Sequence, residues 1–456
     1  MPYLVNSYAP ADWKNTALSL MGNAGLIIAM LIQPLAGLFS DRSTSRFGRR
    51  RPYILAGTLL DLVFLVAIGL SWNYWSLLVA VLLIQFSSNI SHGALQGLIP
   101  DMVPEEQRGR ASAIKALFEL VPIFLVGISI ATMVGEGHLG WAIVTTGALL
   151  LVTAVVTIFT VKEQPLKIKP EGSFWPPMRG VFLMLLGILG GVLIGLLGGL
   201  LIGGLAGLVT WPLAGKTTAT AVAIGLGGIF AMILAVVIGV WAGSSTAIGK
   251  DARNHSSFIW WIVNRLFFLA AITSLQRFAL YFFMYAFNID IDLATTLFGR
   301  LITLVGIFTL ASAVLGGWLA DRIRHKLLLG WSGILAALGG ILLLGTIWVP
   351  NQALIYLAGT VLGLATGVFM TTNWAMGTNL VPPEEAGRFL GISNLAGAGA
   401  GLIGGSFGGP VADYLNIRTP GLGYFVIIAG YALLFICSTV SLRFIHEHEQ
   451  PSPVNI

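Results

Sequence analysis

Apolar runs of about 20 residues recur along the whole chain and constrain its fold more than any other feature. A helix needs about 20 consecutive apolar residues to cross the hydrocarbon core of a bilayer. With 56% of its residues hydrophobic and 10% charged, the chain also has too little polar surface for a soluble globule. The sequence therefore predicts an all-α membrane protein. Thirteen spans are predicted, at roughly 16–39, 52–71, 75–99, 110–134, 139–161, 181–209, 217–242, 259–287, 294–319, 327–348, 352–377, 390–413 and 421–444.

Positive charge lies at alternate ends of these spans. Most of the 25 Lys and Arg residues fall in one set of loops, whereas Lys14, Lys216 and Arg418 lie in the opposite set. The positive-inside rule makes the first set cytoplasmic. The net charge of +6 thus indicates topology and predicts no nucleic-acid partner. We expect a multi-pass protein of the cell (plasma or inner) membrane that is monomeric and in contact with lipid.

The chain contains an internal repeat. Gly37–Arg42 recurs as Gly317–Arg322, so that Asp41 and Asp321 are 280 positions apart. Pro104 with its two glutamates recurs at Pro383, 279 positions later. Two loops with nearly the same separation predict two parallel repeats, and hence two pseudo-symmetric helical bundles.

The repeat predicts that one helix is missing from the first half. By the same offset, the span at 259–287 should have a partner that ends near residues 1–5. The simplest expectation is a misassigned start codon or a truncated gene. The alternative is a native thirteen-helix protein with its N-terminus outside, for which the first 15 residues carry no signal peptide.

Two spans without repeat partners predict an inserted transmembrane hairpin. Its first span carries glycines at a spacing of four, which lets another backbone approach closely. Packing of the hairpin on itself or on a bundle is favoured over a gating or partner-binding arm. The glycines are Gly187, Gly191, Gly195, Gly199, Gly203 and Gly207.

The predicted domains are an N-terminal bundle at 1–161 (counterparts of helices 2–6), a linker with the hairpin at 162–258 (spans 181–209 and 217–242), a C-terminal bundle at 259–445 (helices 7–12) and a cytoplasmic tail at 446–456.

The loop after the first predicted span carries a specific motif. It runs from Gly37 through Asp41-Arg42 to Phe47-Gly48-Arg49-Arg50-Arg51-Pro52. This resembles the Gly-x-x-x-Asp-Arg-x-Gly-Arg-Arg loop of the major facilitator superfamily, with three extra residues after Arg42. The longer form is similar to that of the sucrose and glycoside:cation symporters. The resemblance implies transport by alternating access between two bundles, with a gating role for Gly37, Asp41, Arg42, Gly48, Arg49, Arg50, Asp321 and Arg322.

Helix electrostatics give the two loop aspartates a role. A carboxylate at the inner end of one helix can accept from the unsatisfied N–H groups that start another helix. Asp41 is therefore predicted to latch onto the helix that begins near Phe389, and Asp321 onto the helix that begins near Ala111. The arginine cluster serves topology as well, whether or not the latch forms.

Three ionisable residues fall at membrane depth, where charge is expensive and therefore indicates function. Asp61 lies about 13 Å along its helix from Pro52, at about 1.5 Å per residue. Glu119 lies at a similar depth, with Lys115 one turn before it. Desolvation favours the protonated form of a carboxylate. Asp61, Lys115 and Glu119 are thus candidates for ion coupling, with a static ion pair between Lys115 and Glu119 as the alternative.

Polar and aromatic side chains predict a substrate cavity. The resemblance implies that the first, fourth, seventh and tenth helices of the family line it. The last three correspond to the spans at 75–99, 259–287 and 352–377, which are unusually polar. Each amide or aromatic side chain alternatively makes an interhelical hydrogen bond, and Arg277 alternatively anchors at the outer membrane interface. Arg265, near the cytoplasmic end, is expected to snorkel. The substrate-binding candidates are Asn89, His92, Gln96, Gln276, Arg277, Tyr281, Asn373 and Trp374.

These features predict a secondary active transporter of a small solute. The leading hypothesis is cation-coupled uptake of a sugar or glycoside, with H⁺ as the coupling ion and Na⁺ as the alternative. The span at 75–99, which the resemblance makes the counterpart of the fourth helix, lacks the acidic residue that sucrose symporters use for proton coupling, and this weakens the sugar hypothesis. Proton-coupled efflux of drugs or metabolites is the second hypothesis. No cluster of His or Cys, nucleophile elbow or phosphate-binding loop is present in the sequence, so an enzyme, a metal site or a cofactor is not predicted.

Overall fold

The computed structural model of the chain describes residues 1–104, 118, 126–161, 163, 175–248, 256–320, 322–380 and 386–446. Within these residues the secondary structure is helical, and ten helices are long and apolar enough to span a membrane. The predicted all-α membrane fold is confirmed. The helices are α1 Pro2–Tyr8, α2 Lys14–Asp41, α3 Arg51–Gly69, α4 Tyr74–Gln96, α5 Leu98–Met102, α6 Ala131–Gly135, α7 Leu139–Thr160, α8 Trp175–Ile248, α9 Ser256–Phe287, α10 Ile291–Ala320, α11 His325–Gly345, α12 Gln352–Asn379, α13 Ala386–Arg418 and α14 Leu422–Ser441.

Four of the thirteen predicted spans differ from these ten. The span at 110–134 lies mostly outside the described residues. The spans at 181–209 and 217–242 are two helical arms of the segment α8, which is interrupted by the non-helical residue Gly215. The span at 390–413 lies within α13, a helix that is not among the ten apolar enough to qualify.

The inserted hairpin bends at one glycine. Gly215 has φ 79° and ψ 170°, a conformation that only glycine adopts without strain. Beyond it the second arm returns along the first, and the glycine ridge faces the second arm. A Cβ atom added at Gly187 would lie 2.6 Å from the Cα atom of Gly243. The ridge therefore packs the hairpin against itself, as its spacing predicts.

The chain divides into two compact units. The first comprises Met1–Phe182, Gln276–Gly306 and Gly405–Tyr424, and the second comprises Leu183–Leu275, Ile307–Gly404 and Phe425–Ile456. The predicted division at 161, 258 and 445 follows the sequence repeats and stays a prediction.

In the first unit, α3 packs against α4 and α7, and α2 packs against α4. Small residues allow these close approaches. A Cβ atom at Gly57 of α3 would meet the backbone of Ser87 in α4, and one at Gly93 would meet that of Gln33 in α2. A Cβ atom at Gly409 of α13 would likewise meet the backbone of Asn15 in α2.

In the second unit, α11 packs against α12, and aromatic rings fill the core beside them. Phe268 of α9 stacks on Phe369 of α12, with ring centroids 3.7 Å apart and nearly parallel planes. Phe435 of α14 meets the same Phe268 ring edge-on at 5.0 Å. All three side chains are buried. This core fixes the relative positions of α9, α12 and α14 within the unit.

Candidate functional site

Arg50 is the centre of a charged cluster at the start of α3. Its guanidinium donates to Asp41 at the end of α2 over 2.6 Å and to Asp101 in α5. Arg49 also donates to Asp101, over 3.1 Å from its Nε atom. Only 5% of Arg50 is exposed, so carboxylates replace water around its charge.

The charges of this cluster act on Asp101. Burial alone would raise the pKa of the Asp101 carboxyl, but hydrogen bonds and positive charge from Arg50 and Arg49 outweigh it and lower that pKa below its usual value. The gating-loop arginines are therefore held in one arrangement by two acidic residues. One of these, Asp101, was not predicted from the sequence.

Glu163, just after α7, caps the N-terminus of α3. Its carboxylate accepts the backbone N–H groups of Arg50 at 2.9 Å and Arg51 at 3.0 Å. These are groups that an isolated helix leaves unsatisfied. Gly48 has φ 100° and lies against Glu163, so a side chain there would be strained and would overlap the carboxylate. The glycine of the loop motif thus makes room for the cap.

The other gating-loop candidates are only partly described. Gly37 lies beside the backbone of Gly93, Arg42 ends α2, and the guanidinium of Arg322 lies 4.0 Å from the ring centroid of Trp318. Asp321 and the region near Ala111 lie outside the described residues, as does the side chain of Phe389. The two predicted latches stay predictions.

Asp61 is a buried carboxylate halfway along α3. It is 6% exposed and accepts a hydrogen bond from the hydroxyl of Ser87, a fully buried residue of α4. Among the described residues no Lys, Arg or His forms a salt bridge with it. The other two ion-coupling candidates, Lys115 and Glu119, lie outside the described residues.

The three polar candidates on α4 differ in exposure. Asn89 is buried, and its amide nitrogen donates to the carbonyl of Gln85 in its own helix over 2.7 Å. His92 and Gln96 are exposed and share a hydrogen bond of 3.2 Å between side chains one turn apart. This contact agrees with the shared helix face predicted from their spacing.

Arg277 of α9 belongs to a polar chain that joins three helices of the first unit. Its guanidinium donates to the side-chain oxygen of Asn23 in α2 over 3.0 Å. The amide nitrogen of Asn23 in turn donates to the hydroxyl of Ser406 in α13, also over 3.0 Å. Gln276, the neighbouring candidate, is exposed. Asn23 and Ser406 were not predicted, because neither stands out from the many small polar residues of these helices.

Tyr281 is enclosed at the edge of a cavity of about 370 Å³ in the first unit. Its side chain is 1% exposed, and its hydroxyl donates to the carbonyl of Pro2 over 2.8 Å. The ammonium of Lys14 lies 4.9 Å from its ring centroid. Asp413 and Tyr424 line the same cavity.

Asn373 and Trp374 of α12 face α9 in the second unit. The side-chain nitrogen of Asn373 donates to Asn264 over 3.0 Å, and its carbonyl accepts the indole N–H of Trp261 over 2.9 Å. Trp374 is 38% exposed and lies under the guanidinium of Arg265, 5.0 Å from the ring centroid. Arg265 therefore packs on aromatic rings where the sequence predicted that it snorkels.

Comparison with known proteins identifies the family. The model of the Major Facilitator Superfamily matches residues 1–255 and 266–455. The chain belongs to this superfamily. The predicted resemblance is confirmed, and the protein is a multi-pass membrane protein of this superfamily.

The curated relatives of this superfamily member include sugar transporters. A sucrose transport protein of Oryza sativa subsp. japonica is 35% identical over 118 residues, which are 21% of this chain and 22% of the relative. The proton-associated sugar transporter A of Homo sapiens is 31% identical over 169 residues, which are 31% of this chain and 22% of the relative. The chain thus spans about a fifth of the length of each.

Solved structures of other transporters share the superfamily fold. A POT family transporter in complex with 5-aminolevulinic acid has a TM-score of 0.64 at 15% identity, covering 94% of this chain and 88% of that one. The nucleoside transporter NupG has a TM-score of 0.60 at 14% identity, covering 94% and 91%. At these identities the likeness concerns the fold alone.

Proposed function

We propose that this superfamily transporter takes up a sugar or glycoside together with a proton. The single observation that carries the coupling is the Asp61 carboxylate, which is buried in α3 and hydrogen-bonded by Ser87 without a salt-bridge partner among the described residues. An ionisable group at this depth is expensive unless it functions. The relatives support the substrate class, because one is named a sucrose transport protein and the other a proton-associated sugar transporter.

Asp61 and Ser87 would carry the proton in the following way. The protonated carboxyl is neutral, and it is favoured while the site is closed to water. When the site opens to the cytoplasmic side, hydration favours the carboxylate and the proton leaves. Because Ser87 donates to Asp61, its hydroxyl stabilises the carboxylate between these steps. Na⁺ is the alternative coupling ion.

The sugar would meet amides and aromatic rings. Sugar recognition uses hydrogen bonds to hydroxyls and apolar faces for the ring. Asn373 is buried beside Trp374, whose ring is partly exposed. On the first unit, Arg277 lies in the polar chain through Asn23. We propose Asn373 and Trp374 as substrate contacts in the second unit, and Arg277, Asn89, His92 and Gln96 as separate candidates in the first unit.

Proton-coupled efflux of drugs or metabolites is the second candidate function. It uses the same buried carboxylate and requires a more apolar binding surface. The relatives favour the sugar reading. We also propose that the protein is monomeric, that it lies in the plasma or inner membrane and that it requires no cofactor.

Transport assays in proteoliposomes test the proposal. The purified protein is reconstituted with a pH-sensitive dye in the lumen, and a panel of neutral and acidic mono- and disaccharides is added outside. Symport predicts acidification of the lumen that depends on the sugar and is abolished by a protonophore. Protein-free liposomes give the background. If no sugar moves protons while an imposed pH gradient drives movement of a lipophilic cation such as ethidium, the efflux reading replaces the sugar reading.

A further inference from the structure

Arg265 is the feature of the second unit that neither the fold nor the proposed coupling explains. It lies on α9, about 10 Å from the middle of a 32-residue span at about 1.5 Å per residue. With the middle of this span at the bilayer centre, the position is inside the roughly 15 Å half-thickness of a hydrocarbon core. A guanidinium is always charged, so the protein must solvate a permanent positive charge at this depth.

Aromatic rings are the neighbours that the structure provides for this charge. The guanidinium carbon lies 5.0 Å from the ring centroid of Trp374 and 5.8 Å from that of Trp261. Both distances fall within the range of cation–π interactions. No carboxylate among the described residues forms a salt bridge with Arg265. Its Nε atom is buried and has no hydrogen-bond partner within the described part of the chain.

Nearby acceptors are also incompletely used. The side-chain oxygen of Asn373 and the hydroxyl of Thr372 are buried in the same turn of α12 as Trp374, and none of the described residues forms a hydrogen bond with them. Buried polar groups are normally paired, since each unpaired group costs free energy. Unpaired buried groups of this kind on α9 and α12 are groups that a polar ligand can satisfy.

The cluster around Arg265 is rigid. Trp261 donates its indole N–H to the carbonyl of Asn373, and its ring fills the space left by Gly377. Asn264 accepts from Asn373 and donates to both the carbonyl and the hydroxyl of Ser438 in α14. Three helices thus hold the indole and the amides in place, which is the preorganisation that a binding site requires.

We infer that Arg265 and Trp374 bind a substrate that carries an anionic group on a ring. The guanidinium pairs with a carboxylate or phosphate through two parallel hydrogen bonds, and the ring of the substrate packs on the exposed face of Trp374. This inference rests on the proposed function for the identity of the ring, so the substrate class becomes a sugar acid or acidic glycoside.

Charge decides between an acidic and a neutral sugar. Two hydroxyls of a neutral sugar would leave the charge of the Arg265 guanidinium uncompensated among weakly polar neighbours. An anion compensates it, and the resulting bidentate contact is about twice as strong as a neutral hydrogen bond. The partial exposure of Trp374, beside a fully buried Trp261, provides the face on which a ring can stack.

A matched pair of glycosides tests the inference. Methyl α-D-glucuronide and methyl α-D-glucoside differ only in the carboxylate, and their binding to the protein in nanodiscs is followed by quenching of tryptophan fluorescence. We expect the glucuronide to bind roughly tenfold more tightly than the glucoside, as expected when a charge-assisted pair is added. Arg265→Gln should remove this preference, and Arg265→Lys should keep part of it. Trp374→Phe should weaken both glycosides by a similar factor.

Two controls keep the outcomes distinct. Arg300→Gln removes an exposed arginine of α10 and should leave both affinities unchanged. Thermal unfolding of each variant shows whether it folds; if Arg265→Gln does not fold, the comparison of Arg265→Lys with the wild type serves the same purpose. Equal binding of the two glycosides, or a preference that survives in a folded Arg265→Gln, overturns the inference and leaves neutral-sugar symport standing.

A third probe separates failure of the inference from failure of the proposed function. Cyclohexanecarboxylate offers a ring and an anion without hydroxyls. If it binds in an Arg265-dependent manner while neither glycoside binds, the anion site is supported and the sugar proposal fails. If none of the three probes binds to wild-type protein, both fail.

Discussion

The carboxylate of Asp413 accepts the backbone N–H of Thr16 over 2.7 Å, which joins α13 to the first turn of α2. Its other oxygen accepts the backbone N–H of Asn15 at 3.2 Å and the side-chain amide of the same residue at 2.7 Å. Asp413 is 6% exposed. An acidic group from one repeat thus caps a helix of the other repeat, which is the kind of contact that the sequence predicted for Asp41 and Asp321.

Removing this cap should destabilise the protein. We expect Asp413→Ala to lower the free energy of unfolding by about 1–3 kcal/mol, because three donors at the start of α2 lose their acceptor in a buried place. Asp413→Asn keeps one acceptor oxygen and should cost less. Thermal unfolding in detergent measures both. Asp12→Ala, at an exposed residue of the same region, should have little effect; an equal loss in that variant would contradict the assignment.

The hairpin offers a pair of adjacent glycines with opposite expectations. A Cβ atom at Gly191 would overlap the Cα atom of Gly239 in the second arm, whereas one at Gly190 meets no atom within 4 Å. Gly191→Ala should therefore destabilise by about 1–3 kcal/mol through forced separation of the arms. Gly190→Ala should be neutral or stabilise by up to about 1 kcal/mol, since alanine favours the helix.

Thermal unfolding of Gly191→Ala and Gly190→Ala in the same detergent measures this difference in stability. Gly203 and Gly204 repeat the contrast three turns later, because a Cβ atom at Gly203 meets Ala223 and Gly227 while one at Gly204 meets nothing. Equal behaviour within both pairs would mean that the arms are not packed through this ridge.

The fold was predictable because its signal is local. A span is recognised from its own 20 residues, and a glycine ridge such as that from Gly187 to Gly207 from its own spacing. The contacts of the candidate site are not local. Asp101 is 51 residues from Arg50, and Asn15 is 398 from Asp413. A single sequence gives no way to pair such residues.

Arg265 shows a second reason why the site was harder to predict. From the sequence, an arginine near a span end is expected to extend toward water. Whether it instead packs on Trp374 depends on the register between α9 and α12, which Gly377 and the Trp261 indole set together. That register is a property of tertiary packing.

Protonation of Asp101 should weaken the cluster at the start of α3. Its pKa is lowered in the folded protein, because pairing with Arg50 and Arg49 outweighs the opposing effect of burial. A depressed pKa contributes stability that is present above the unfolded pKa of about 4 and is lost as the pH falls through the folded value. The stability difference between wild type and Asp101→Asn should therefore stay constant from pH 7 to about pH 5 and shrink below about pH 4.

Thermal unfolding of the two proteins across this pH range measures the difference. Glu136→Gln, an exposed position with only a long contact to His138, is the matched control and should follow the wild-type curve. A difference between wild type and Asp101→Asn that grows as the pH falls would have the wrong sign for a stabilised carboxylate.

Substitution of Asp61 separates coupling from substrate movement. Asn keeps the size of the side chain and an oxygen that can accept from Ser87, but it cannot take up a proton. Asp61→Asn should therefore lose accumulation driven by a proton gradient, while exchange of labelled for unlabelled substrate continues at a rate within a few-fold of wild type. Ser87→Ala removes the hydrogen bond and keeps the carboxyl, so it should remain coupled with a shifted pH dependence. If Asp61→Asn still concentrates substrate against its gradient in response to protons, the proton is carried elsewhere, and Glu119 becomes the residue to substitute next.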